Sequence, residues 1–104
     1  MKEQQVRLSD AAVNDIIEQA DWYEEQAERR LRNRWDRAVR SALLRIAKNP
    51  RAGMLCKFKA EELGKVRRVL VTGFPKHLVF YRFHENELLI LRVIHGARDL
   101  ENLL

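Results

Sequence analysis

Between Ser9 and Pro50 the chain contains neither glycine nor proline, and no other feature limits its folding so much. An unbroken run of helix-compatible residues ending in a proline reads as helix. Val13, Ile16, Ile17, Ala20, Tyr23 and Ala27 recur at three- and four-residue spacing and form one apolar stripe, expected to face inward. Leu31, Trp35, Ala38, Val39, Ala42 and Ile46 form a second. Ser9 is placed to cap the start, with Asp10 and Asp15 near the positive end of the helix dipole. Asn49-Pro50 ends the run, because proline has no N–H to continue it. The stripes join without a jump in phase, so periodicity alone permits one rod of roughly forty residues, long for so small a domain. Charge breaks the tie. The stretch up to Glu28 is acidic, whereas Arg29 to Lys48 is strongly basic with Asp36 its sole acid. Folding one against the other gains several flank contacts of at most about 1 kcal/mol each and disfavours wrong pairings. The prediction is a helical hairpin that breaks within residues 25–30.

Outside this run the pattern changes period. Gln4 to Leu8 reads as a short strand with Val6 and Leu8 on one face. Residues 49–64 are loop-like and suit a mobile arm. Val66–Thr72, Lys76–His84 and Leu88–His95 are rich in Val, Leu, Ile, Phe and Tyr and read as strands. Their separators, Gly73-Phe74-Pro75 and Glu85-Asn86, are turn-sized, so the three should form an antiparallel meander, with Asn86 suited to a positive φ. The order β-α-α-β-β-β gives an α+β fold, a helical hairpin packed on an antiparallel sheet, with residues 1–104 as a single domain.

Several chemistries are struck off. The first residues lack the apolar stretch of a signal sequence, and no later run approaches the roughly 18 apolar residues of a membrane span. Cys56 is alone, so it cannot form an internal disulfide, and it reads as a small packing residue in a reducing compartment. These features lead us to expect a cytoplasmic protein that makes no membrane contact. The spacings of metal ligands, P-loops and dinucleotide fingerprints are missing, and Ser9 and Ser41 sit at helical positions without a nucleophile elbow. No cofactor or metal is expected.

What remains is cationic. The net charge is +5 and the pI about 9.8, a balance that suits nucleic acid, ribosomes or an acidic protein. The strands carry Arg67, Arg68, Lys76, His77, Arg82, Arg92, His95 and Arg98, preceded by Lys57, Lys59 and Lys65. Alternation sets Arg82 opposite Phe83 and Val79, and Arg92 opposite Leu91 and Val93. Arginines on consecutive strands would make a concave cationic face able to hold phosphates bidentately; the blander reading is a row of solvated arginines. Two apolar residues fit neither stripe. Trp22 lies nine residues after Val13, roughly two and a half turns, and so faces away from the core side; Leu44 is off-stripe in the second helix.

Read in order, Arg67-Arg68-Val69-Leu70-Val71, Leu78-Val79-Phe80-Tyr81-Arg82 and Ile90-Leu91-Arg92-Val93-Ile94-His95-Gly96-Ala97-Arg98-Asp99 resemble the ParE/RelE superfamily of bacterial type II toxins, also called plasmid stabilization proteins. The Ser9-Asp10-Ala11-Ala12 helix start, the Asn49-Pro50 and Gly53 stop and the closing His95-Gly96-x-Arg98-Asp99 fall in family order. The resemblance implies a toxin neutralised by a cognate antitoxin, with indirect operator DNA contact through that antitoxin. Its acidic tail would wrap the helical hairpin and the sheet edge, against Trp22, Arg37 and Leu44. It also implies one of two targets. RelE-like members cut mRNA on the ribosome, chemistry that would draw on Arg67, Arg82, His95 and Tyr81 here, with Lys57 and Lys59 as further cations. That pattern has a tyrosine in the final helix, which Asp99-Leu100-Glu101-Asn102-Leu103-Leu104 lacks. The ending is more similar to ParE, whose members inhibit DNA gyrase by binding it; Arg68, Arg82, Arg92, His95 and Arg98 would then form the target contact. An inactivated member serving only as antitoxin ligand or co-repressor is a third reading.

Overall fold

Ser9 joins the helical and strand halves of the chain. In the computed structural model, which describes residues 4–96 and 100–104, its hydroxyl accepts from the Ala12 N–H at 3.0 Å and donates to the Leu91 carbonyl at 2.8 Å. It thereby caps helix α1 (Asp10–Gln26) and fixes it to strand β5 (Glu87–His95). Ala27 and Glu28 interrupt the helical run, Glu28 with extended backbone, before α2 (Arg29–Lys48) begins. The break falls inside the window expected from charge. Arg32 Nη1 reaches back across it to both Asp21 and Glu24, so the acidic and basic helices meet in ion pairs beside the bend.

The second stripe is buried as expected, with Trp35 and Ala42 wholly inaccessible and the Trp35 indole N–H donating to the Ile16 carbonyl at 3.1 Å. The first stripe is corrected. Ala12, Ile16, Ala20 and Tyr23 pack on the core, while Val13 and Ile17 are 39% and 48% exposed and Ala27 is exposed too. The inward arc runs through Ala12, Asp15, Ile16, Ala20 and Tyr23 and so turns toward Asp15, away from Val13 and Ile17.

The sheet has five strands in the order β1-β5-β4-β3-β2. β1 (Val6–Leu8) runs parallel to β5, with Val6 opposite Leu88 and Leu8 opposite Ile90. β3 (Val66–Val71) and β4 (Phe74–His84) form the expected meander with β5. The β4–β5 turn places both Glu85 (φ 50°) and Asn86 (φ 64°) in the left-handed region, as a two-residue hairpin turn requires. The β3–β4 turn centres on Thr72-Gly73, Gly73 having φ 88°, so Phe74 and Pro75 belong to the strand and not to the turn. Residues 49–64, read as loop, contain β2 (Met54–Leu55), paired with Arg68 and Arg67, and one 3-10 turn at Glu61–Leu63.

Helices α1 and α2 cover one face of the sheet, where Trp35, Val39, Ala42 and Ile46 meet Val71, Val79, Tyr81, Leu88, Ile90 and Val93. The opposite face is partly covered as well. Cys56, Val66, Phe80 and Ile94 form a second small core with Phe58, Leu63, Leu91 and Leu103, brought there by the 56–63 segment and by α3 (Leu100–Leu103). Burial raises the Cys56 thiol pKa, as suits a packing residue. No helix among the described residues is long and apolar enough to cross a membrane.

Candidate docking face

The strand cations divide into three surroundings. Arg68, on β3, points to the face away from the helices, where its Nη2 lies 3.2 Å from the Met54 sulfur. Arg82 is also exposed on β4, at the far end of the sheet beside Arg7, His84, Glu85 and Glu87. Arg92 is engaged internally. It lies opposite Phe80, where the β4–β5 register shifts, and it binds Asp15 through Nε and Nη2 and the Leu103 carbonyl through Nη1. With side chains only 19% and 9% exposed, Arg92 and Asp15 connect β5, α1 and α3, so Arg92 does not join Arg68 and Arg82 in the expected concave cationic face. Arg98 lies outside the described residues.

Beside Arg68 the uncovered half of the outer face forms a groove of about 850 Å³. Its floor is Met54, Leu70, Pro75 and Leu78; its charged rim is Arg68 and Lys76, with His95 at one end. Met54 is 63% and Leu70 51% exposed, apolar surface of the kind a partner covers at about 25 cal/mol per Å². Gly96 closes the groove: a Cβ there would stand 2.8 Å from Leu78 Cδ1, and its N–H donates to the Lys76 carbonyl. Arg45 of α2 donates to the Leu70 carbonyl at 2.9 Å, occupying an edge acceptor of β3. The sequence offered the charged half of this site. The apolar half was hidden, because Met54 lies in a strand of two residues and Leu70 and Leu78 read as ordinary core alternation.

His95 also lines a smaller cleft of about 250 Å³ with Trp22, Glu18, Asp15 and His77. Trp22 is 54% exposed and stands edge-on to Tyr23, their centroids 5.6 Å apart. Behind it Tyr23, Trp35 and Phe74 pack together, and Trp35 meets His77, which meets His95 at 5.7 Å. Trp22, singled out for one partner, and His95, singled out for another, thus share a cleft. Burial, and next the neighbouring His95, lower the His77 pKa from its ordinary 6.5. Arg37 lies apart on the outer surface of α2 beside Asn33, Asp36 and Arg40, and Leu44 is 48% exposed on the same helix.

The four ribonuclease candidates do not converge. Tyr81 and Arg67 are register partners across β3 and β4, but both hold the backbone after α2. The Tyr81 hydroxyl donates to the Pro50 carbonyl and accepts from the Gly53 N–H, each at 2.9 Å. Arg67 Nη1 donates to the carbonyls of Gly53 and Arg51 at 2.8 and 3.2 Å. The Tyr81 ring is wholly buried and burial raises its pKa. The segment read as a mobile arm is therefore anchored at its root. Arg82 points to the opposite face, and His95 sits at the other end of β4's partner strand. Lys57 and Lys59 are exposed on the 56–63 segment.

A hairpin of helices on a five-stranded mixed sheet, with an open apolar-and-basic groove on the far face, defines a small α+β protein. Residues 6–100 match the family model described as the ParE toxin of type II toxin-antitoxin system, parDE, and the chain belongs to that family. Among curated proteins none matches it in sequence. Its fold is similar to that in the chromosomal ParDE TA system from P. aeruginosa, with a TM-score of 0.73 and 13% identity over 89% of this chain and 96% of that one. It is also similar to a chain of the toxin-antitoxin complex RelBE2 from Mycobacterium tuberculosis, with a TM-score of 0.62 and 20% identity over 94% and 97%.

Proposed function

We propose that this ParE-family toxin acts in the cytoplasm by binding DNA gyrase, and that a cognate antitoxin neutralises it by wrapping the helical hairpin and the sheet edge beside the target surface. The observation that carries this reading is the outer groove, in which exposed Met54 and Leu70 lie beside Arg68 and Lys76. An apolar floor with a cationic rim suits a macromolecular partner that brings apolar anchors and acidic residues. Arg67 and Tyr81 are engaged together in anchoring the post-helix backbone while Arg82 and His95 lie elsewhere. This arrangement supports a binding toxin over a ribonuclease, which must gather its proton carriers and cations around one phosphate. The two structural relatives, one from a ParDE system and one from a RelBE2 toxin–antitoxin complex, support an antitoxin as partner. The cleft shared by Trp22 and His95 links the antitoxin surface to the target surface, so occupancy of one would obstruct the other.

Expression tests the reading in two stages. The chain alone should arrest growth, and co-expression with the antitoxin encoded beside it should restore growth and raise solubility. Normal growth while soluble protein accumulates would mark an inactive antitoxin ligand. Purified toxin with gyrase and plasmid then separates the targets from each other, since message cut in a translating extract would move the chain to the ribonuclease reading.

A further inference from the structure

A second cleft, of about 500 Å³, opens at the end of the sheet away from Gly96, where the β4–β5 turn meets the segment following α2. Arg51, Lys65 and Arg67 converge on it, with His84, Glu85 and Asn86 along the turn side. These residues come from three separate parts of the chain, the post-helix segment, the start of β3 and the end of β4, so the cations meet only because the sheet has folded. None of the three cations has a carboxylate within 4 Å among the described residues. Lys65 Nζ instead lies 3.1 Å from His84 Nδ1, a contact in which the ammonium donates and the imidazole accepts. The one acid present, Glu85, is 82% exposed and lies 3.5 Å from His84 Nε2, on the turn itself. Both bonds from Arg67 to the Arg51 and Gly53 carbonyls leave from Nη1, so the contacts that orient the guanidinium leave its Nη2 edge for a ligand. A positioned arginine with two flexible cations beside it is the donor set for a phosphate group.

We infer that the cleft bounded by Arg51, Lys65 and Arg67 binds a phosphodiester of a nucleic-acid backbone, giving this toxin a direct contact with nucleic acid at the sheet end remote from Gly96. The inference does not depend on gyrase being the target, because the contact belongs to the chain itself. On the turn side the lining residues His84, Glu85 and Asn86 are exposed to solvent, which suits a continuous backbone passing through more than an enclosed small anion.

The test uses the full chain in fluorescence anisotropy at low salt with three probes: mixed-sequence duplex DNA, single-stranded RNA, and inorganic phosphate as competitor. The double variant Arg51→Ala/Lys65→Ala, which leaves the Arg67 anchor intact, should weaken the preferred nucleic acid by about tenfold or more and flatten its salt dependence by roughly one unit of slope per cation removed. Arg30→Ala/Arg34→Ala, an equal loss of charge on the exposed side of α2, should change it by less than about twofold. Stronger binding of duplex or of RNA identifies which backbone the site takes, and either supports the inference. Equal weakening in the two double variants, absence of binding to both nucleic acids, or binding of inorganic phosphate alone would overturn it.

Discussion

Asp15 and Arg92, 77 positions apart in sequence, form a two-pronged ion pair in which Oδ2 accepts from Nε at 2.7 Å and Oδ1 from Nη2 at 2.8 Å. Asp15 Oδ2 also accepts the Val93 N–H at 3.0 Å. Beyond Leu8 the first strand no longer covers β5, and here a helix side chain takes the place of the missing strand.

This pair should be structural. Asp15→Ala leaves a poorly solvated guanidinium and an unpaired Val93 N–H and should cost about 3 kcal/mol. Urea unfolding of Asp15→Ala, Arg92→Ala and the double variant measures it, and a coupling energy above about 1 kcal/mol is expected from the cycle.

The Tyr81 hydroxyl is predicted to act as an anchor and not as a proton carrier. Tyr81→Phe strands the buried Gly53 N–H and should lose about 1–3 kcal/mol, with faster tryptic cleavage after Arg51 as the backbone there is released. Gly53→Ala should produce a similar loss by another route, since its Cβ would collide with the Tyr81 hydroxyl oxygen and ring.

Trp22→Ala separates binding from stability. At 54% exposure the indole contributes little to the fold, so the change in unfolding free energy should stay within about 0.5 kcal/mol. Affinity for the antitoxin, measured by calorimetry, should fall by at least about tenfold, as for a central aromatic anchor.

Acid should destabilise the protein through His77. Its folded pKa lies below the ordinary 6.5, from burial first and His95 second, so below that pH the unfolded chain binds the proton more readily than the native one. The contribution is fully present above about 6.5 and is lost as pH falls toward the depressed folded value. His77 is surrounded by Trp35, His95 and the carboxylates of Asp15 and Glu18 across the cleft. Urea midpoints for wild type and His77→Gln between pH 7.5 and 5 should converge as the pH drops.

Strong local signals survived into the structure. The Ser9 cap, the charge reversal that bends the chain at Ala27-Glu28 and the Asn86 turn each act over a few residues, and each is where the sequence puts it. What could not be read were long-range commitments. Nothing near Arg92 distinguishes it from Arg82, because its partner Asp15 is brought to it only by the packing of α1 on β5. Tyr81 likewise reads as a strand tyrosine until the post-helix backbone arrives at its hydroxyl. The outer groove depends on Met54 and Leu55 pairing across to Arg68 and Arg67, and two residues carry no period from which pairing could be inferred.

The claim that this toxin works by binding gyrase is tested most directly by supercoiling of relaxed plasmid with purified gyrase and ATP, toxin being titrated through the micromolar range. Loss of supercoiling or accumulation of cleaved plasmid is predicted for the wild type, with Arg68→Ala/Leu70→Ala weakened by about tenfold or more and still folded. Full supercoiling at every toxin concentration would contradict it.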